Sequence, residues 1–144
     1  MQRIQLNLPE HFIFSTNIAI RITDLNYGGH VGNDSFLSII HEARQQFLNY
    51  YHYSELNFEG TSLIMADVAV EYKRELNYGD IVTISVAANG FDKLGFDIFY
   101  LLEVFKENKK CLAGKAKTGM LCYNYQHKKL MPLPLAAIQK LATT

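Results

Sequence analysis

The chain carries no excess of either charge. Fourteen Lys and Arg face 14 Asp and Glu, so the formal charge is zero with neutral histidines. A neutral chain presents no broad field to a phosphate backbone, and nucleic-acid binding would need a local basic stripe. The nearest candidates, YKRE and FKENKK, each mix signs and read as a solvated strand edge and a hairpin turn. Cysteine is also scarce. Cys111 and Cys122 stand alone, outside any Cys-x-x-Cys pair, and no His/Cys cluster has zinc spacing. Both fall in one alternating apolar run, where a free thiol acts as a small hydrophobe. Proline is confined to Pro9, Pro132 and Pro134. No apolar stretch approaches the length needed to span a bilayer. The opening segment MQRIQLNLPEHFIF lacks a continuous apolar run and a small-residue cleavage site, so no secretory signal is expected. These absences lead to an expectation of a cytoplasmic protein with reduced thiols and no nucleic-acid or membrane partner.

What is present is apolar content. Of 144 residues 49% are hydrophobic, enough for a sizeable core in one ordinary domain. No linker, low-complexity tract or repeat divides the chain, so residues 1–144 read as a single domain, uninterrupted from Phe12 to Leu130.

Phe12 to Ile22 is rich in β-branched and aromatic residues, with Ile18, Ile20 and Ile22 at strand period. The period then changes. Phe36, Ile40, Ala43, Phe47 and Tyr50 or Tyr51 recur every three or four residues, widened by Ile39 and Leu48, and predict a long helix with a broad apolar face. Asn33 is the expected N-cap, with Asp34 at the positive end of the helix dipole. Four strand-like runs follow: Leu63–Tyr72, Ile81–Ala87, Phe96–Phe105 and Cys111–Tyr125, separated by NYGD, NGFDKLG and KENKK. A short helix is expected after Pro134. One strand, one long helix and four strands joined by short turns predict an α+β domain with a five-stranded, mostly antiparallel sheet wrapped on the helix.

Between the first strand and the helix lies DLNYGGHVGND, Asp24 to Asp34. Loop and helix together, ITDLNYGGHVGNDSFLSIIHEARQQFL, resemble the signature of the 4-hydroxybenzoyl-CoA thioesterase-like hotdog family. Many members read Asp-x-Asp, a Gly-containing turn, His-Val-Asn-Asn, then an apolar helix with Glu-Ala-Arg. Here HEAR supplies Glu42, Ala43 and Arg44. ADVAVEYKRELNYGDIVTI and AKTGMLCYNYQHKKLMPLP are similar to later strands and the C-terminal segment of the family, so the resemblance covers nearly the whole chain. It implies a hotdog fold, an acyl-CoA substrate, no cofactor or metal, and a homodimer or homotetramer with sites between subunits.

The resemblance further implies that the thioester carbonyl meets the helix N-terminus, at the backbone N–H of Asn33. A carboxylate from the preceding loop would then attack or activate water. At that point the chain departs from the family. The first Asp of Asp-x-Asp is Asp24, but the second is Asn26, which is no general base; Gly32 replaces the first Asn of Asn-Asn. Three arrangements are open. Asp34 replaces the lost acid; Asp24 or His30 acts instead; or the site binds acyl-CoA without hydrolysing it. Tyr27 and Gly29 are the expected substrate-contacting residues of the loop.

Each residue also has a plain structural reading. Asp24 can make a local turn bond. Gly28 and Gly29 can supply positive φ. His30 can be a structural hydrogen-bonding residue, and Asn33 and Asp34 ordinary capping residues. Glu42 and Arg44 are expected to anchor the helix to the sheet or to a partner. His30 with Glu42 also imitates, in composition, the pair of hotdog hydratases. The aromatic segment FLNYYHYSELNF is expected at an interface.

Overall fold

The computed structural model of the chain describes residues 1–142. Strand β1 (Phe14–Ala19) is followed by a 3-10 turn (Ile22–Asp24) and the long helix α1 (Asn33–Tyr50). Strands β2 (Ser62–Tyr72), β3 (Ile81–Asn89), β4 (Gly95–Lys106), β5 (Lys109–Asn124) and β6 (Lys129–Leu130) come next, then helix α2 (Leu135–Leu141). The sheet runs β1-β3-β4-β5-β2, with β6 added to β5, and each of these pairings is antiparallel.

The helix lies on one face of this sheet because its apolar stripe can be buried nowhere else. Phe36, Ile39, Ile40, Ala43, Phe47 and Leu48 join Ile84, Val86, Ile98, Leu102, Ala116 and Met120 in one core. Each large side chain so buried is worth about 1.5–3 kcal/mol. In the middle of α1 this apolar face carries one charge. Arg44 is buried, its Nε donates to Glu55 Oε1 at 2.9 Å, and its guanidinium donates to the Tyr100 hydroxyl at 3.2 Å. Tyr100 is 2.8 Å from Thr118 Oγ1, and His41 Nε2 is 3.2 Å from Glu55 Oε1. Burial pushes the Tyr100 phenol above its ordinary pKa, so it remains a neutral hydrogen-bonding group. Arg44 thus ties the helix to the sheet, one of its two expected roles.

The fold departs from expectation in three places. The first strand is shorter than Phe12–Ile22: its last ladder pair is Ala19 with Ile81, where β3 begins. Beyond it the Asp24 carboxylate accepts the Arg21 N–H at 2.8 Å and closes the 3-10 turn. Among the described residues the sheet has six strands rather than five, because Tyr123 and Asn124 pair with the short β6. The helix N-cap is Gly32 rather than Asn33, which becomes the first helical residue. Gly32 has the extended conformation of a cap (φ −76°, ψ 162°) and its carbonyl accepts the first turn's N–H from Phe36 at 2.9 Å.

Two close approaches depend on glycine. A Cβ on Gly95 would lie 2.0 Å from the Met120 carbonyl oxygen, within the β4–β5 ladder. One on Gly119 would lie 2.5 Å from Asp67 Oδ1, where β2 bulges between Met65 and Asp67. Strand β2 ends the hydrogen-bonded order and exposes Met65, Val68 and Tyr72.

Candidate active site

The segment Leu25–Val31 folds back on itself. Leu25 and Val31 form an isolated antiparallel bridge, and the Asn26 N–H donates to the His30 carbonyl at 2.9 Å. The Gly29 N–H returns to the Asn26 carbonyl at 3.1 Å, and Gly29 turns the chain with φ 83°. Gly28 has an ordinary φ and serves a different purpose. A Cβ there would meet Asn26 Oδ1 at 3.2 Å and His30 Nε2 at 3.3 Å, so glycine leaves room for both side chains. Asn26 Oδ1 also accepts the Gly28 N–H at 2.8 Å. At the other end of the loop, Gly32 donates to the Asp24 carbonyl at 3.2 Å and leads into α1.

The loop is held against the segment that leaves β2. The Val31 N–H donates to the Leu76 carbonyl at 2.9 Å, while the Lys73 and Arg74 N–H groups both donate to the Ala113 carbonyl, at 3.0 and 3.1 Å. Residues 73–76 are therefore pinned on both sides. Between the two segments and the start of α1 is a cleft of about 320 Å³. The loop contributes Asn26, His30 and Val31; the helix contributes Asn33 and Phe36; β2 and its continuation contribute Tyr72, Lys73, Arg74, Glu75 and Leu76.

The first N–H groups of a helix have no partner within it. Among the described residues no acceptor takes the N–H of Asn33, Asp34 or Ser35. With the helix dipole, the Asn33 N–H makes that end of the cleft suited to a developing oxyanion.

The expected site residues thus divide. Asn26, His30 and Asn33 come together at the cleft. Asp24 does not join them. It is buried in the 3-10 turn, its carboxylate engaged by Arg21, and it lines a separate cleft with Ser38 and Glu42. The 3-10 turn at Ile22–Asp24 directs it away from the loop that carries Asn26. Asp34 is exposed on the first helical turn, with its Oδ1 beside Gly32, and does not line the cleft. Tyr27 and Gly29 stand at the exposed outer tip of the loop. Glu42 accepts from Gln46 at 2.9 Å and lies apart from His30.

The acidic residue of the cleft was not among the site residues expected from the sequence. Glu75 belongs to the YKRE segment, read above as a solvated strand edge, and its Oε1 lies 3.5 Å from His30 Nε2. The available signal was a carboxylate just past the end of a strand within a segment already similar to the family.

The family model described as the thioesterase-like superfamily matches residues 20–141. The chain belongs to that superfamily. A 1,4-dihydroxy-2-naphthoyl-CoA thioesterase from Synechocystis is 22% identical, with a TM-score of 0.76 over 89% of this chain and 96% of its own. A thioesterase from Thermus thermophilus, solved with coenzyme A and Zn, is 22% identical, with a TM-score of 0.75 over 92% of this chain and 100% of its own. An Asp-to-Asn variant of 4-hydroxybenzoyl-CoA thioesterase, solved with 4-hydroxybenzoyl-CoA, is 12% identical, with a TM-score of 0.80 over 90% and 98%. These likenesses establish a hotdog fold for this thioesterase-superfamily member. No curated protein matches the chain.

Proposed function

We propose that this thioesterase-superfamily member hydrolyses acyl-CoA thioesters to a free acid and coenzyme A. One observation carries the reading: Asn33, whose N–H has no acceptor among the described residues, lines the same cleft as Asn26 and His30. A thioester carbonyl directed at the Asn33 N–H is polarised there, and the oxyanion formed on attack by water is stabilised by that N–H and the helix dipole. Asn26 holds substrate or water, and His30 shapes the loop around it. Family membership and the named activities of the structural neighbours support the same chemistry.

Two further parts belong to this reading. The long edge strand β2, with Met65 and Val68 exposed, is suited to pairing with a second copy, which would remove the open edge and bring a partner's residues to the cleft. The free thiols of Cys111 and Cys122 support a reducing compartment, the cytoplasm.

Thiol release by the purified protein, across short, medium, long and aromatic acyl-CoAs, tests the activity. Turnover above background is expected on at least one class. Asn26, standing where the family resemblance puts an acid, favours one rival: a dimer that binds acyl-CoA without cleaving it. Saturable binding with no thiol release from any substrate would establish the rival instead.

A further inference from the structure

The site lacks a carboxylate from its own loop, yet a carboxylate lines it. Among the described residues that line the cleft, Glu75 is the only Asp or Glu. Asp24 is consumed by the Arg21 turn, and Asp34 stands outside on the first helical turn. We infer that Glu75 is the general base of the hydrolysis, acting from the far side of the cleft in place of the carboxylate that Asn26 cannot supply. The inference rests on the thioesterase reading and names the catalytic group within it.

The backbone is fixed on both sides of Glu75. Its chain neighbours are tied down by Lys73 and Arg74 to the Ala113 carbonyl, and by Leu76 to the Val31 N–H. Leu76 is itself buried, which anchors the backbone next to Glu75. The carboxylate is 3.5 Å from His30 Nε2 through Oε1, while Oε2 has no partner among the described residues. His30 is a positioning residue in this scheme: it stands beside one oxygen and leaves the other to face a water. Glu75 remains in contact with solvent, with a side chain 71% exposed in the single chain, so water reaches it.

The step balances without any further reactant. A water in the cleft gives a proton to Glu75 Oε2 as its oxygen attacks the thioester carbon. The carbonyl electron pair moves to the oxygen held by the Asn33 N–H. When the intermediate collapses, the C–S bond breaks and the sulfur leaves with its electron pair. The proton on Glu75 passes to that sulfur, giving a thiol and a carboxylic acid and restoring the carboxylate.

The deciding experiment measures thiol release by the full chain and by Glu75→Gln, Asp34→Asn and Glu75→Ala, on the acyl-CoA that turns over fastest. Loss of a general base costs about 10²- to 10⁴-fold in kcat. Glu75→Gln should show that loss with KM nearly unchanged, and added formate should restore part of the activity of Glu75→Ala. Asp34→Asn should stay close to the parent. Exposure of Glu75 means that its variants keep the parental melting temperature, so a fall in rate reports chemistry. Active parent protein with an equally active Glu75→Gln would overturn the assignment alone; a loss confined to Asp34→Asn would transfer it to the helix carboxylate. A parent that binds acyl-CoA but releases no thiol would overturn the thioesterase reading, and this assignment with it.

Discussion

The two ends of α1's first three turns are built on opposite terms. At its N-terminus, Asn33 and Asp34 are exposed, the early N–H groups have no partner among the described residues, and the side chains of Asn26 and His30 both flank Gly28. Further along, at Arg44, a charge is buried and its neighbours are satisfied through Glu55, Tyr100 and Thr118. Among the described residues no buried side-chain nitrogen or oxygen lacks a hydrogen bond. The contrast separates two uses of polarity. Satisfied polar groups inside the core fix how the helix sits on the sheet; unsatisfied ones at the surface are available to a substrate.

The largest effect that would test this contrast is at Arg44. Arg44→Ala leaves Glu55 and Tyr100 without their cation and should cost about 3 kcal/mol of folding stability, measured by chemical denaturation. A loss below about 0.5 kcal/mol would mean that the network is dispensable and that the helix is held by apolar packing alone. Next comes Asn26→Ala. Asn26 is exposed, so stability should change by less than about 0.5 kcal/mol. Its thioester turnover should fall about tenfold, the equivalent of one hydrogen bond at about 1.4 kcal/mol. A variant that loses stability but not turnover would reverse the roles given to the two ends. The smallest effect is expected at Gly29→Ala. A side chain at φ 83° is strained, and the cost should be about 1 kcal/mol, read as a modest drop in melting temperature. A fall in turnover beyond that of Asn26→Ala would show that the turn, rather than the asparagine, sets the site.

Much of the fold was legible because it is written in local period. The spacing of Phe36, Ile40, Ala43 and Phe47 marks a helix with one buried face, and that face is buried. The alternation in residues 81–87 and 96–105 marks strands, and both form with ends extended by one or two residues. The short β6 was missed because two residues carry no period; Tyr123 and Asn124 create it by pairing. Likewise Asn33 has a capping side chain, but the cap is set by the conformation of Gly32, which the residue types do not reveal.

The site was legible only in part. Asn26, His30 and Asn33 were gathered by one short loop, whose ends the 3-10 turn and the helix bring together. Asp24 and Asp34 carry the right chemistry in that loop, yet backbone geometry directs Asp24 into Arg21 and leaves Asp34 outside the cleft. Sequence by itself determined the helix, the strand order along the chain, the neutral charge and the absence of an acid at Asn26. Only tertiary structure decided that Glu75 stands beside His30. The cause is the hydrogen bond between Val31 and Leu76, a pairing of distant segments that no local pattern encodes.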